Sequence, residues 1–203
     1  ELFKALQAKL PNAGLEKVGE ESIGPAIGQE IKWNATKSLL ASFVIILIYV
    51  AFRFEFGFGI GAVVASVHDI IMTIGIFVLF GHQFNAPMVA AILSIAGYSI
   101  NDTIVVFDRI RENLARHAGA PYADIVNHSV VQTLGRSLNT TVTVLMTLLA
   151  LLVFAGGSIR IFVLALFVGI LSGTYSSIFN ASPLLVWWEE RTQARAASRA
   201  RSL

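Results

Sequence analysis

The sequence predicts an all-α integral membrane fold, a bundle of about five transmembrane helices. Three observations carry that prediction. Hydrophobic residues fill 55% of the 203 positions and charged residues only 14%, against roughly 25% charged in soluble domains. The apolar residues arrive in runs rather than at amphipathic spacing, and runs of about 20 residues read as bilayer spans. The basic residues are also sorted by position. All five lysines lie between Lys4 and Lys37, and nine of the ten arginines stand at or beyond the opposite ends of spans.

Cysteine is absent, which excludes a disulfide framework and a cysteine-based metal site. The net charge of +2 is small, and no nucleic-acid partner is expected from it. The chain opens at Glu1 with no basic n-region and no signal-peptide h-region, and so reads as a piece of a longer protein.

The elements follow in order. Residues 1–32 are polar and mixed in charge, with Pro11, Gly14, Gly19, Gly24, Pro25 and Gly28 as breakers. Leu2, Phe3, Leu6 and Leu10 suggest one short amphipathic helix. The segment is too small for a domain and is expected to be the tail of one. The first span covers 33–52, with Lys37 snorkelling and Arg53 closing it. The second, 56–80, is broken only by His68 and Asp69. A loop at 81–85 leads to the third, 86–107, which contains Asn101 and Asp102. The polar stretch 108–135 is expected to be a loop with two interfacial helices around Pro121. The fourth span covers 136–155, and Gly156, Gly157 and Ser158 turn it into the fifth, 159–188. A basic tail, 191–203, ends the chain. At ~1.5 Å per residue each span can cross a hydrocarbon core of ~30 Å.

The positive-inside rule sets an orientation. Arg53, Arg109, Arg111, Arg116, Arg136 and the arginines of the tail collect on one side. The other side has Arg160 and the lysines, which are balanced by Glu1, Glu16, Glu20, Glu21 and Glu30. The N-terminal segment is therefore expected outside and the tail in the cytoplasm, with Trp187 and Trp188 at the inner interface.

The charged residues inside the spans are the candidates for chemistry. A carboxylate at the centre of a spanning helix costs roughly 2.5–3.5 kcal/mol on insertion scales. Each Leu, Ile, Phe or Val returns about 0.3–0.6 kcal/mol, so such helices still insert. Asp69 lies near the midplane, 14 residues from Glu55 and 11 from Phe80. Asp102 lies six residues before Asp108, about 9 Å from the arginine-rich end at helical rise. Arg136 opens the fourth span at that end and would come level with Asp102 if the third and fourth helices are neighbours.

Spacing adds polar stripes. Arg136, Thr140, Thr143 and Thr147 share one helical face, as do Ser94, Tyr98 and Asp102 on the third span. Ser66, Asp69 and Thr73 mark the second. Three stripes suggest a shared polar interior. The plainer readings stand beside these. Asp102 could serve a structural ion pair, Arg136 an interfacial anchor, and His68 with Asp69 simple packing. The threonines read as packing glue. Gly57, Gly59 and Gly61 permit close helix approach, since no strand precedes them for a nucleotide loop. His82 and His117 lie in loops and offer no ligand cluster.

An aspartate opposed by an arginine has a direct use. The arginine favours the charged carboxylate and desolvation the neutral one. A helix movement that separates the pair lets the aspartate take a proton, and its return expels it.

Several contiguous strings resemble the SecF family of bacterial protein-export membrane proteins, relatives of the RND transporters. They are Tyr49 to Glu55, Gly61 to Asp69, Ser94 to Asn113, Ser129 to Thr141 and Gly156 to Arg160. The resemblance implies an RND-like bundle whose first helix is missing, preceded by the end of an exported α+β domain, with residues 1–31 as its last strand and exit. The chain would be the end of a SecF or of the SecF half of a fused SecDF. The implied function is that of a proton-driven accessory to the Sec translocon, aiding export or release of polypeptides, and not an enzyme. In that family pattern Asp102 and Arg136 match a proton-relay pair and Thr140 a polar neighbour. Asn101, Asn139, Asp69 and His68 are further candidates. No cofactor is implied, the proton being the coupling ion. The implied partners are SecD or a fused SecD half, the SecYEG translocon, a translocating polypeptide and membrane lipid, in the bacterial inner membrane. An RND-type exporter of drugs or lipids and a non-catalytic translocon scaffold are the alternatives.

Overall fold

The computed structural model describes residues 25–201 except 55, 83, 118 and 155. Every regular element among them is helical: α1 (Pro25–Arg53), α2 (Phe56–Leu79), α3 (Ala86–Arg116), α4 (Tyr122–Phe154) and α5 (Gly157–Ser176). A π-helical segment (Ser177–Ala181) then carries α5 straight into α6 (Ser182–Arg201). Five runs are long and apolar enough to cross a membrane, the last being the continuous rod Ile159–Arg195. This is the all-α, multi-pass membrane fold that the composition predicts.

Three expected boundaries shift. Residues 1–24, with the short amphipathic helix and most of the expected domain tail, lie outside the described residues. Residues 25–32 are helical rather than an extended exit, because Pro25 suits a first helical turn, where its missing N–H has no partner to lose. The stretch 108–135 is not a loop bearing two separate helices either. α3 runs on to Arg116 and α4 begins at Tyr122. Polarity does not end a helix whose polar groups find partners. Glu112 accepts from both Arg109 and Arg116 within α3. The Asn113 amide donates to Ser129 Oγ at 2.8 Å and to Gln132 Oε1 at 2.9 Å on α4. The basic tail likewise continues the helix as far as Arg201.

α3 is the centre of the bundle. It packs against α5, α2 and α4, while α5 also lies on α4 and α2, and α1 leans on α2. Lipid gives helices no hydrophobic reason to associate, so close approach through small residues matters. A Cβ on Gly169 would stand 2.3 Å from Ile95 Cδ1, and one on Gly173 would stand 3.3 Å from Ser99 Cβ. Gly57 and Gly61 meet Trp188 and Phe107 in the same way, at 2.9 and 3.3 Å. Asn85 caps α3 by accepting from Met88 N at 3.1 Å, and Gly81 turns the chain before it with φ 71°.

The apolar core splits in two along the bundle. At the arginine-rich end Phe54, Phe58, Phe107, Ile110, Val126 and Leu185 pack together. At the other end lie Ile70, Phe77, Met88, Ile92 and Ala165. Between them sits a layer of buried polar side chains.

Candidate functional site

Four helices supply that layer. α2 contributes Ser66, Asp69 and Thr73, all fully buried. The sequence explains their face, since positions three and four apart stack on one side of a helix. Asp69 Oδ2 accepts from Ser99 Oγ of α3 at 2.6 Å and from Ser176 Oγ of α5 at 2.7 Å. Its Oδ1 accepts from Ser172 Oγ of α5 at 3.0 Å and lies 3.2 Å from His68 Nδ1. One carboxylate thus joins three helices, and its acceptor positions are largely filled. Gly173 makes this possible, because its missing side chain lets α5 approach Asp69 and Ser99.

Asp102 is different. Its carboxyl is buried on α3, yet Oδ2 has no hydrogen-bond partner, and neither has Ser137 Oγ on α4. Ser137 and Arg136 are the α4 groups that act on this carboxyl. α3 and α4 are indeed neighbours, but no ion pair joins Asp102 to Arg136 among the described residues. Arg136 stands on the exposed side of α4, one residue round from the buried Ser137.

Further hydroxyls surround the two carboxyls. Thr103 pairs with Ser177 at 2.9 Å, and Thr141 pairs with Thr174 at 2.7 Å. Tyr98, one turn before Asp102 on α3, interacts with Thr141.

The expected stripes are only partly interior. The α2 stripe is buried throughout, and on α3 Tyr98 and Asp102 turn inward while Ser94 is exposed. On α4 the expected face is the wrong one. Arg136, Asn139, Thr140, Thr143 and Thr147 are exposed, and Asn101 of α3 is exposed with them. Rather than gluing helices together, the Thr140 and Thr143 hydroxyls return to the Arg136 and Asn139 carbonyls at 2.9 and 2.8 Å. The inward face of α4 is Ser129, Thr133, Ser137 and Thr141. Both sets have helical spacing, so periodicity alone could not choose between them. His68 is half-exposed, at 36% for its side chain.

Sequence reasoning missed Ser99, Ser172, Ser176 and Ser177. The available signal was Gly169-x-x-x-Gly173 inside the last span, a small-residue packing motif interleaved with hydroxyls.

Residues 4–191 match the family described as protein export membrane protein SecD/SecF, C-terminal. The chain is 49% identical over 185 residues to the protein translocase subunit SecDF of Thermus thermophilus, covering 90% of the chain and 25% of that protein. It is 49% identical over 179 residues to protein translocase subunit SecF of Thermobaculum terrenum, covering 84% and 56% respectively. The fold superposes on crystal SecDF in its super-membrane-facing form with a TM-score of 0.83 and 41% identity. That likeness covers 98% of this chain and 27% of the other. The chain thus spans about a quarter of the fused relatives and about half of the separate one.

Proposed function

The chain belongs to the SecD/SecF family of protein export membrane proteins, and from that premise we propose that it is part of a proton-driven accessory to the bacterial Sec translocon. It assists export or release of polypeptides across the cytoplasmic membrane, without nucleotide hydrolysis and without a cofactor. The proton is the coupling ion, and Asp102 is the group that takes it up and gives it back.

The observation that carries this reading is the buried, unbonded Oδ2 of Asp102 beside an arginine that has not closed on it. An unmet buried acceptor costs about 1–3 kcal/mol, so this arrangement is a state the protein leaves readily. Charged, the carboxylate draws the Arg136 guanidinium inward. Neutral, it releases it. Either step turns or tilts α4 against α3, and that movement is the mechanical output. Thr140, bonded to the Arg136 carbonyl, moves with the arginine. Asn101 and Asn139 border the same outward face.

That face also suggests the partner. Lipid cannot solvate Arg136, Asn139, Thr140 and Asn101 side by side on a span. A SecD protein or fused SecD half covers them in this reading, as the fused relatives suggest. SecYEG and the exported chain are engaged elsewhere on the complex, with lipid against the exposed apolar face of α1. The arginine-rich end faces the cytoplasm of an inner-membrane protein.

Asp102→Asn in the full-length protein tests the reading in membrane vesicles carrying a proton gradient. The proton-dependent part of export should disappear while insertion and assembly persist. Arg136→Met should give a similar defect. Proton-stimulated export at the normal rate by Asp102→Asn would sink the proposal.

A further inference from the structure

We propose that Asp69 is a second proton-binding station in the membrane, with Ser176 as the hydroxyl that turns to admit the proton. The inference rests on the proton-relay reading of Asp102 and extends it to a carboxyl that reading leaves idle.

The geometry supplies the reason. Three serine hydroxyls point at the Asp69 carboxylate, and a protonated carboxyl must instead donate to one of them. Ser176 can make the exchange. Its Oγ lies 2.7 Å from Asp69 Oδ2 and 3.2 Å from the Gly173 carbonyl, so its hydrogen has two acceptors to choose from. A proton drawn from water bonds to Oδ2, and the new O–H donates to Ser176 Oγ. The Ser176 hydrogen swings to Gly173 O. No other hydrogen bond is lost, and the carboxylate charge is neutralised by the proton taken up.

Neighbouring hydroxyls have the same freedom. In the Thr103–Ser177 and Thr141–Thr174 pairs either oxygen can donate. Thr103, Ser177 and Thr174 each have a backbone carbonyl as a second acceptor, at 3.0, 2.9 and 3.0 Å. Hydroxyl rotors of this kind can reverse polarity without opening the packing. They lie on α3, α4 and α5 between the levels of the two aspartates. Asp102 follows Ser99 by three residues, about 4.5 Å along the helix. The π-helical segment begins at Ser177, in the middle of the network, and π turns often mark functional sites.

The charged surroundings are sparse. On α2 the titratable neighbour is His68, whose half-exposed ring faces Oδ1. From α3 come Ser99, with Asp102 and Tyr98 beyond it, and from α5 only hydroxyls. No charged residue lies between Arg160 and Glu189 in the last rod, nor between Lys37 and Arg53 in α1. A proton arriving here therefore changes the local charge by a whole unit with little to screen it, which a purely structural tie would not need.

Infrared difference spectroscopy tests this on the full-length protein in liposomes, labelled with 13C-aspartate and titrated with pH. Two protonated-carboxyl bands should titrate in the wild type. Asp69→Asn should remove one and Asp102→Asn the other. Ser176→Ala should shift the titration of the Asp69 band and leave the Asp102 band in place. A carboxylate at position 69 that never protonates, while the Asp102 band titrates, overturns the second station and leaves the relay reading intact. An Asp102→Asn protein that exports normally tells against the relay reading instead. If Asp69→Asn does not assemble, Ser176→Ala decides alone, and two unshifted bands refute the proposal.

Discussion

Replacing Gly169 by alanine should destabilise the bundle, although the same change in an exposed helix is stabilising. Alanine favours the helix by about 1 kcal/mol over glycine, so the sign depends on the space available. The new Cβ would stand 2.3 Å from Ile95 Cδ1, 2.5 Å from its Cγ1 and 2.9 Å from its Cγ2. Carbon atoms rest at about 3.5–4.0 Å, which leaves a shortfall of roughly 1.2–1.7 Å. Ile95 is fully buried and β-branched, and a rotamer change that clears one of its branches brings another into the gap. Overpacking of this kind costs about 1–3 kcal/mol, so the net loss is up to ~2 kcal/mol. The damage should spread one turn along α5. If the helices separate by ~1 Å, the 2.6 Å bond from Ser99 to Asp69 opens to a distance at which no hydrogen bond remains. Thermal unfolding in detergent, followed through Trp33, Trp187 and Trp188, reads the effect. Ile95→Ala alone should also destabilise, by leaving a cavity, but the double variant should exceed the sum of the two by ~1 kcal/mol or more. A Gly169→Ala protein more stable than the parent, or strict additivity with Ile95→Ala, would refute the reasoning.

Other outcomes follow from single contacts. Asn85→Ala removes the cap of α3 and should cost about 1 kcal/mol, seen as faster amide exchange at Met88. Asn113→Ala breaks the bonds that hold the extended ends of α3 and α4 together, leaving Ser129 and Gln132 short of a donor. It should cost about 1–3 kcal/mol, with local exchange rising around residues 125–132. Ser137→Ala removes a buried hydroxyl that has no partner, so stability should change by less than about 1 kcal/mol. The same variant should alter the pH dependence of export, because Ser137 acts on Asp102.

Much of this was legible in the sequence because lipid imposes a simple rule. A span must be apolar over its whole length, and each of the five runs announces itself that way. Asp102 and Asp69 stood out for the same reason, as charges where the rule forbids them. What did not show was the facing of α4. Thr140 and Thr141 are adjacent, and one faces out while the other faces in, because the choice is made by the neighbour that each helix side meets. The serines around Asp69 were hidden for a related reason. Serine is common in membrane helices, and Ser99, Ser172 and Ser176 gain meaning only when three helices bring them to one oxygen pair. The helical ends beyond the membrane were missed because pairing, as at Asn113 with Gln132, sustains a helix through sequence that reads as loop.

The π-helical segment at Ser177–Ala181 gives the last rod two independent phases. In an uninterrupted α-helix each residue advances by about 100°, so the hydroxyl face around Ser176 would dictate where Leu185 and Trp188 point. The wider turn absorbs one extra residue, and everything beyond it is turned back by about that angle. Leu185 can therefore reach the phenylalanine core while Ser176 keeps its place against Asp69. A single-residue deletion within 177–181 would restore a regular helix and set the two ends out of step. In this stretch the number of residues matters more than which residues they are.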